Sequence, residues 1–297
     1  MSAADAVGGG TAVIPAAAAS TRGLVWRRLV RNRLAVAGMV VVAVVAVAAA
    51  AAPLLPLPDP TSSQLSARLR PLGSPGHLLG TDPLGRDMLS RLVWGGRTSL
   101  LVGAVATAAA ALVGSLIGLV AGFFRGVVDS VFMRVIDVLM AYPYLLLAIA
   151  LVAFLGPALS KAMMAIAVVN VPFFARAVRG ATLSVVTQEY VEAAGLSGRP
   201  RWLVPFAEVL PNVSSTVLIT ISTTVGWMIT ETAGLSFLGL GAQPPTSDWG
   251  TMLGDGRDLL TVAPHVSLVP GVAIFVVVMS LNFVGDGLRD ALDPRLS

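Results

Sequence analysis

Apolar residues in this chain fall in long uninterrupted runs and lack the strict alternation of a half-buried strand. Apolar stretches at 34–55, 99–123, 132–155, 162–175, 213–230 and 266–284 predict helices. Most reach the ~18–20 residues that cross a hydrocarbon core of ~30 Å at ~1.5 Å per residue. The exception, 162–175, is short and carries Asn170 and Pro172 near its end. The pattern predicts an all-α, polytopic membrane helix bundle of about six transmembrane helices, since helices satisfy their own backbone in lipid. Asp137, Glu231 and Asp286 fall towards span ends, where the interface is expected to solvate them.

Punctuation between the runs divides the chain further. Residues 1–21 are small, Gly/Ala-rich and aperiodic, and predict a disordered tail. An N-terminal segment at 22–56 holds the first span, closed by Pro53, Pro56, Pro58 and Pro60. A polar loop occupies 57–98, a core membrane domain 99–288, and a short tail 289–297. The Arg-rich start before the first run could read as a signal peptide, but the run is longer than the ~7–15 residues of a signal-peptide core. It is read as an uncleaved helix. Gly114, Gly118 and Gly122 repeat on one face of the second run. That stripe predicts close backbone approach, inside the bundle or at a subunit interface.

Composition agrees. Hydrophobic residues make up 56% and charged residues 12%, against ~45–50% and ~25% in soluble domains. With both termini cytoplasmic, thirteen of the twenty basic residues fall on the inner side, as the positive-inside rule asks. The loop at 57–98 is then extracytoplasmic, and that at about 180–211 cytoplasmic. The excess of Arg forms no basic stripe with interleaved aromatics, so no nucleic acid is expected as partner. Cysteine is absent, which excludes disulfides and Cys-ligated zinc.

Candidate chemistry is sparse. His77 and His265 lie far apart in loops, without metal-ligand spacing, and are expected to be solvated. Lys161, the single lysine, sits outside any G-x-x-x-x-G-K-[ST] loop, so ATP cannot bind by that route. No catalytic, cofactor-binding or metal-ligating residue is predicted. Transport against a gradient would need energy from another chain.

One loop could take that energy in. Thr187 can cap a helix that carries Glu189 in its first turn, Gly198 can end it, and Pro200 suits the start of another. The segment predicts a helix–Gly–helix knuckle, in which Ala193 and Ala194 would let a partner surface approach. From the residues alone, an amphipathic connector is an equal reading.

Glu192-Ala193-Ala194 with Gly198, then Leu210-Pro211, resembles the EAA loop of permease subunits of ATP-binding-cassette (ABC) importers. Three further segments resemble the dipeptide/oligopeptide/nickel permeases of that class, and their C type in particular. They are His77-Leu78-Leu79-Gly80-Thr81-Asp82-Pro83-Leu84-Gly85-Arg86-Asp87, then Leu235-Ser236-Phe237-Leu238-Gly239-Leu240-Gly241 with Asp248-Trp249-Gly250, and Gly285-Asp286-Gly287-Leu288-Arg289-Asp290. The resemblance implies a type I ABC importer permease fold in the bacterial inner membrane. It implies a second permease as heterodimer partner, two ATPase subunits that use ATP and Mg, and an extracytoplasmic solute-binding protein. It assigns Glu192, Ala193, Ala194, Gly198 and Arg199 to coupling with the ATPase. It implies passage of peptides by alternating access, with nickel chelates, glutathione or another small solute as alternatives and a self-sufficient secondary carrier as the rival class. Outside the EAA loop, the motifs carry structural readings beside functional ones: Gly85-Arg86-Asp87 as a helix cap, Gly239 to Pro245 as an outer turn, and Asp286, Arg289 and Asp290 as local salt bridges.

Overall fold

The computed structural model describes residues 21–292 apart from Ser197, so most of the predicted N-terminal tail and the end of the C-terminal one lie outside the described residues. Ten α-helices follow one another, and no β-strand forms among the described residues. They are α1 (Thr21–Arg31), α2 (Arg33–Ala50), α3 (Met88–Phe124), α4 (Gly126–Met140), α5 (Tyr144–Leu155), α6 (Leu159–Val185), α7 (Glu189–Leu196), α8 (Leu210–Phe237), α9 (Trp249–Asp255) and α10 (His265–Leu292). Five are long and apolar enough to span a bilayer, namely α2, α3, α6, α8 with its lead-in turn, and α10. The sixth candidate is broken: α4 and α5 meet at 89°.

That break corrects the expectation of one straight helix over 132–155. Pro143 has no N–H to continue the ladder and biases Tyr142 away from helical geometry, so the chain turns between Met140 and Tyr144. Two ion pairs tie the α4 limb to α6: Arg179 holds Asp129 with bonds of 2.5 and 2.6 Å, and Arg176 reaches Asp137 at 2.6 Å. Lys161 Nζ donates to the Leu155 carbonyl at the end of α5, where a cation favours the helix dipole.

The second span also starts earlier than its hydropathy suggests. Asp87 Oδ1 accepts from Ser90 N at 2.8 Å and caps α3, which runs for 37 residues and so carries Arg91 and Arg97 inside a helix. At ~1.5 Å per residue it is about 55 Å long, well beyond a bilayer core. The fourth span is longer than expected as well. Its 27 residues include Pro172, and Asn170 turns inward instead of ending it.

Close packing comes from small residues. The Gly114, Gly118 and Gly122 stripe of α3 lies directly on α6, so the internal reading of that stripe holds. This is the most extensive helix pair among the described residues. Ala106, Ala110, Ile166, Phe174, Met228 and Leu235 complete a dry core between α3, α6 and α8. The N-terminal helix α2 packs on α10, where Gly38 leaves room for the Ser280 carbonyl and Gly287 for Ala35. The expected local salt bridges of Asp286, Arg289 and Asp290 do not form among the described residues. All three side chains are exposed, where such pairs are worth little.

Candidate functional site

Three polar constructions stand out against this apolar bundle. The first is at the α7 end, where α6 hands over to α8. There α7 is an eight-residue helix, Glu189–Leu196. Thr187 does not cap it: the hydroxyl donates back to the Ser184 carbonyl at 2.9 Å, closing the last turn of α6. Gly198 has φ +80°, with nothing within 4 Å of where a Cβ would stand, so the requirement for glycine there is conformational and not steric. After Pro200 the chain makes turns and then a π-helical segment, Pro205–Val209, that runs straight into α8. The expected second helix of the knuckle is thus the lead-in of α8.

Buried Val191, Val204 and Val209 pack with Leu119 of α3 and Val178 of α6, and they hold the knuckle to the bundle. The opposite side is open. Glu192 and Ala193 are exposed, Ala194 is half-buried, and Leu196 is 84% exposed. Arg199 is committed to an ion pair with Glu208 of the π-helical segment. Glu192, Leu196, Arg199 and Arg201 rim a concavity of about 460 Å³ floored by Phe123, Val186 and Val204. Such a surface, acidic and basic at its rim with an apolar tip, suits docking against another protein.

The second construction is at the α9 end. Asp82 is fully buried; its Oδ2 accepts from Arg86 Nε and Arg91 Nη1, both at 2.5 Å. Arg91 also reaches Asp255 at 3.1 Å, so the loop, α3 and the end of α9 are tied at one point. Gly85 (φ +74°) passes so close to Gln64 that a Cβ would lie 1.8 Å from its carbonyl oxygen. Neither histidine is a solvated loop residue. His77 Nδ1 bonds Asp87 Oδ2 at 2.9 Å, and buried His265 Nε2 meets the Thr81 carbonyl at 3.2 Å. Burial of the loop against α3 and α10 removes the water that the sequence reading assigned to them. Asp248 caps α9 and accepts from Ser99 Oγ at 2.7 Å, while Trp249 Nε1 donates to Leu92 O at 2.8 Å. Gln243 Nε2 donates to the Gly239 and Gly241 carbonyls at 3.0 and 3.1 Å. The cap and turn readings of these motifs hold.

The third was not anticipated. Glu231 is not solvated by an interface: it is 7% exposed, inside α8, and its Oε2 accepts from Asn170 Nδ2 of α6 at 2.9 Å. The pair lines a cavity of about 560 Å³ beside the α4–α5 break, with Tyr142, Tyr144 and Trp227 around it. The signal available in the sequence was a carboxylate and an amide within otherwise apolar helices.

Long apolar helices and one broken helix pair define a multispan membrane helix bundle. Residues 114–297 match the family described as binding-protein-dependent transport system inner membrane component, and residues 20–71 match the N-terminal TM domain of oligopeptide transport permease C. The chain belongs to this family of ABC importer permeases, and to its C type. It is 43% identical to the glutathione transport system permease GsiD of Pectobacterium atrosepticum, over 91% of this chain and 90% of that one. It is 41% identical to the dipeptide transport system permease DppC of Alkalihalophilus pseudofirmus, over 91% and 89%. Among solved structures, an inward-facing form of the MetNI methionine ABC transporter shares the fold, with a TM-score of 0.58 at 19% identity, covering 69% of this chain and 98% of that one.

Proposed function

We propose that this permease forms half of the translocation path of an ATP-driven peptide importer. A second permease completes the path, two ATPase subunits bind at the α7 end, and an extracytoplasmic binding protein delivers the solute. ATP and Mg would be used by the ATPases. In this reading the chain sits in the inner membrane with both termini and the 180–211 loop cytoplasmic, 57–98 is the extracytoplasmic loop, and 99–288 is the permease core. Similarity to dipeptide permeases over about nine-tenths of the chain supports peptides as the solute. Glutathione, carried by the similar GsiD permeases, is the second reading, and it too is a small peptide with a free ammonium group.

The observation that carries the coupling role is the exposed side of α7. Glu192 would offer a carboxylate to a basic group on the ATPase, Ala193 and Ala194 would let its surface come near, and Leu196 would enter an apolar recess. Gly198 would set the turn, and Arg199, through Glu208, would hold that turn to α8. The knuckle is continuous with α6 on one side and α8 on the other. Closure of the ATPases would therefore move two long helices together and tip the bundle between inward- and outward-open states. The test is co-purification with the ATPases, and uptake, for Gly198→Val and Glu192→Lys. Valine at φ +80° is strained by roughly 1–2 kcal/mol or more, outside the bilayer, so insertion and pairing with the second permease are expected to survive while ATPase docking is lost. Wild-type docking and uptake in both variants would reduce the loop to a connector.

A further inference from the structure

The cavity beside the α4–α5 break has the features of a binding site. Its volume of about 560 Å³ lies in the range of small-molecule pockets, ~300–1,000 Å³. Its lining is mostly apolar and aromatic, with one carboxylate. Asn170 fixes that carboxylate: one amide hydrogen goes to the Ile166 carbonyl and the other to Glu231 Oε2, both at 2.9 Å. The other oxygen, Oε1, is buried and makes no hydrogen bond of ordinary geometry among the described residues, although the Trp227 side chain, one turn back on α8, is a second donor facing the carboxylate. A buried carboxylate left half-satisfied is costly, and inside a membrane helix such a group marks a functional site. Among the described residues lining the cavity there is no Lys, Arg or His to neutralise it. The cavity leaves room for a cationic donor from outside the chain.

The aromatic rings indicate its charge. Tyr144 and Trp227 lie 5.8 Å apart at 52°, each about half exposed, at the mouth of the cavity. Aromatic faces beside an unpaired carboxylate attract a cation carrying hydrogen-bond donors. We propose that this cavity is a passage site for the primary ammonium group of the solute, with Glu231 as counter-charge, Asn170 as its positioning residue, and Tyr144 and Trp227 as the aromatic wall. It rests on the reading of the solute as a peptide, whose free N-terminus is such a group. A site of this kind recognises the feature common to peptides of any sequence, while leaving side-chain selection to the delivering protein.

The test uses the transporter complex of both permeases and the ATPases in lipid nanodiscs, without the binding protein. Saturation-transfer NMR, which detects millimolar binding, compares dialanine, N-acetyl-dialanine and n-butylamine on wild type and Glu231→Gln. Charge-assisted hydrogen bonds are worth about tenfold or more in affinity. Dialanine and butylamine are expected to bind the wild type about tenfold or more tightly than N-acetyl-dialanine, and Glu231→Gln is expected to erase that preference in a complex that still assembles. A Glu231→Gln complex that keeps the preference overturns the proposal. So does a variant that inserts but releases the second permease, because Oε1 would then serve a cationic side chain of that subunit. Dialanine binding that is independent of Glu231 removes the site and leaves the peptide reading standing. Glu231-dependent binding of butylamine alone does the reverse. Should Glu231→Gln fail to accumulate, Tyr144→Leu at its half-exposed position decides: it is expected to weaken both amines selectively, and no effect on them overturns the proposal.

Discussion

Replacing Gly118 by alanine tests whether the α3–α6 contact is set by backbone and not by side chains. A Cβ at Gly118 would stand 2.4 Å from the Ala175 carbonyl oxygen and 2.8 Å from Arg179 N. Ordinary contact begins near 3.4 Å, so the methyl is about 1 Å too close to peptide groups that have no rotamer to change. The helices must part, which loosens Gly114 and Gly122 as well. Overpacking of this kind costs about 1–3 kcal/mol, and alanine's better helix propensity returns up to about 1 kcal/mol. A net loss of about 1–2 kcal/mol lowers the melting temperature by about 2–8 °C in a chain of this size. Gly180→Ala on α6 is the counterpart, with nothing within 4 Å of its Cβ. Only the propensity gain applies there, and a rise of up to about 4 °C is expected. Tryptophan-fluorescence melting of the detergent-purified chain, at one scan rate for all variants, reads both. If Gly118→Ala melts with or above the wild type, the stripe is not a backbone contact and the packing argument fails.

At the α9 end, Asp82→Asn removes the main counter-charge of Arg91, which is 3% exposed. Breaking a buried pair in this way costs about 3–5 kcal/mol, and the same melting assay is expected to show a large drop or a loss of folded protein. Asp255→Asn touches the same arginine from a side chain that is 38% exposed, and a drop under about 1 kcal/mol is expected. Because the chain has no cysteine, single Leu78→Cys and Leu196→Cys variants report orientation with an impermeant thiol reagent. Leu78→Cys is expected to react in intact cells and Leu196→Cys only after permeabilisation, and the reverse pattern would invert the proposed topology. Reconstituted alone in liposomes, the chain is expected neither to hydrolyse ATP nor to accumulate dialanine under a proton gradient; gradient-driven accumulation would make it a secondary carrier.

The number and order of spans were legible because lipid leaves the backbone no alternative to helix, so hydropathy alone locates them. Their ends and bends were less so, for reasons that differ by element. Arg91 and Arg97 pushed the expected start of α3 to 99, although Gly85-Arg86-Asp87 also read as a helix cap, and Asp87 is that cap. Hydropathy counts charge as an end, whereas a helix ends where its hydrogen bonds do. Pro143 hid in a run apolar enough to read as one span, and only its missing N–H distinguishes a 24-residue helix from two limbs at 89°. The knuckle was readable because its parts are local: Gly198 follows Glu192 by six residues, and a positive φ is what glycine in a polar linker announces.

The Glu231–Asn170 pair lies at the other extreme, its members 61 positions apart. Polarity inside a span is not by itself informative here. Thr224, Thr232 and Ser280 all sit within membrane helices, and each hydroxyl donates to the carbonyl four residues back, at 2.6–2.8 Å. A hydroxyl can do so because it carries a proton, and its own helix supplies the acceptor. An ionised carboxylate has only lone pairs, and the interior of a helix presents no free N–H to fill them. An ionised glutamate inside a span therefore needs donors from side chains, of its own helix or another, or from a ligand. Asn170 is the amide that α6 contributes to Glu231, at one oxygen of two, and the Trp227 side chain is the donor on α8 itself. That inequality between donors supplied and lone pairs to be filled separates Glu231 from Thr224, Thr232 and Ser280, and together with the cavity and its aromatic wall it supports reading the cavity as a place for a cation.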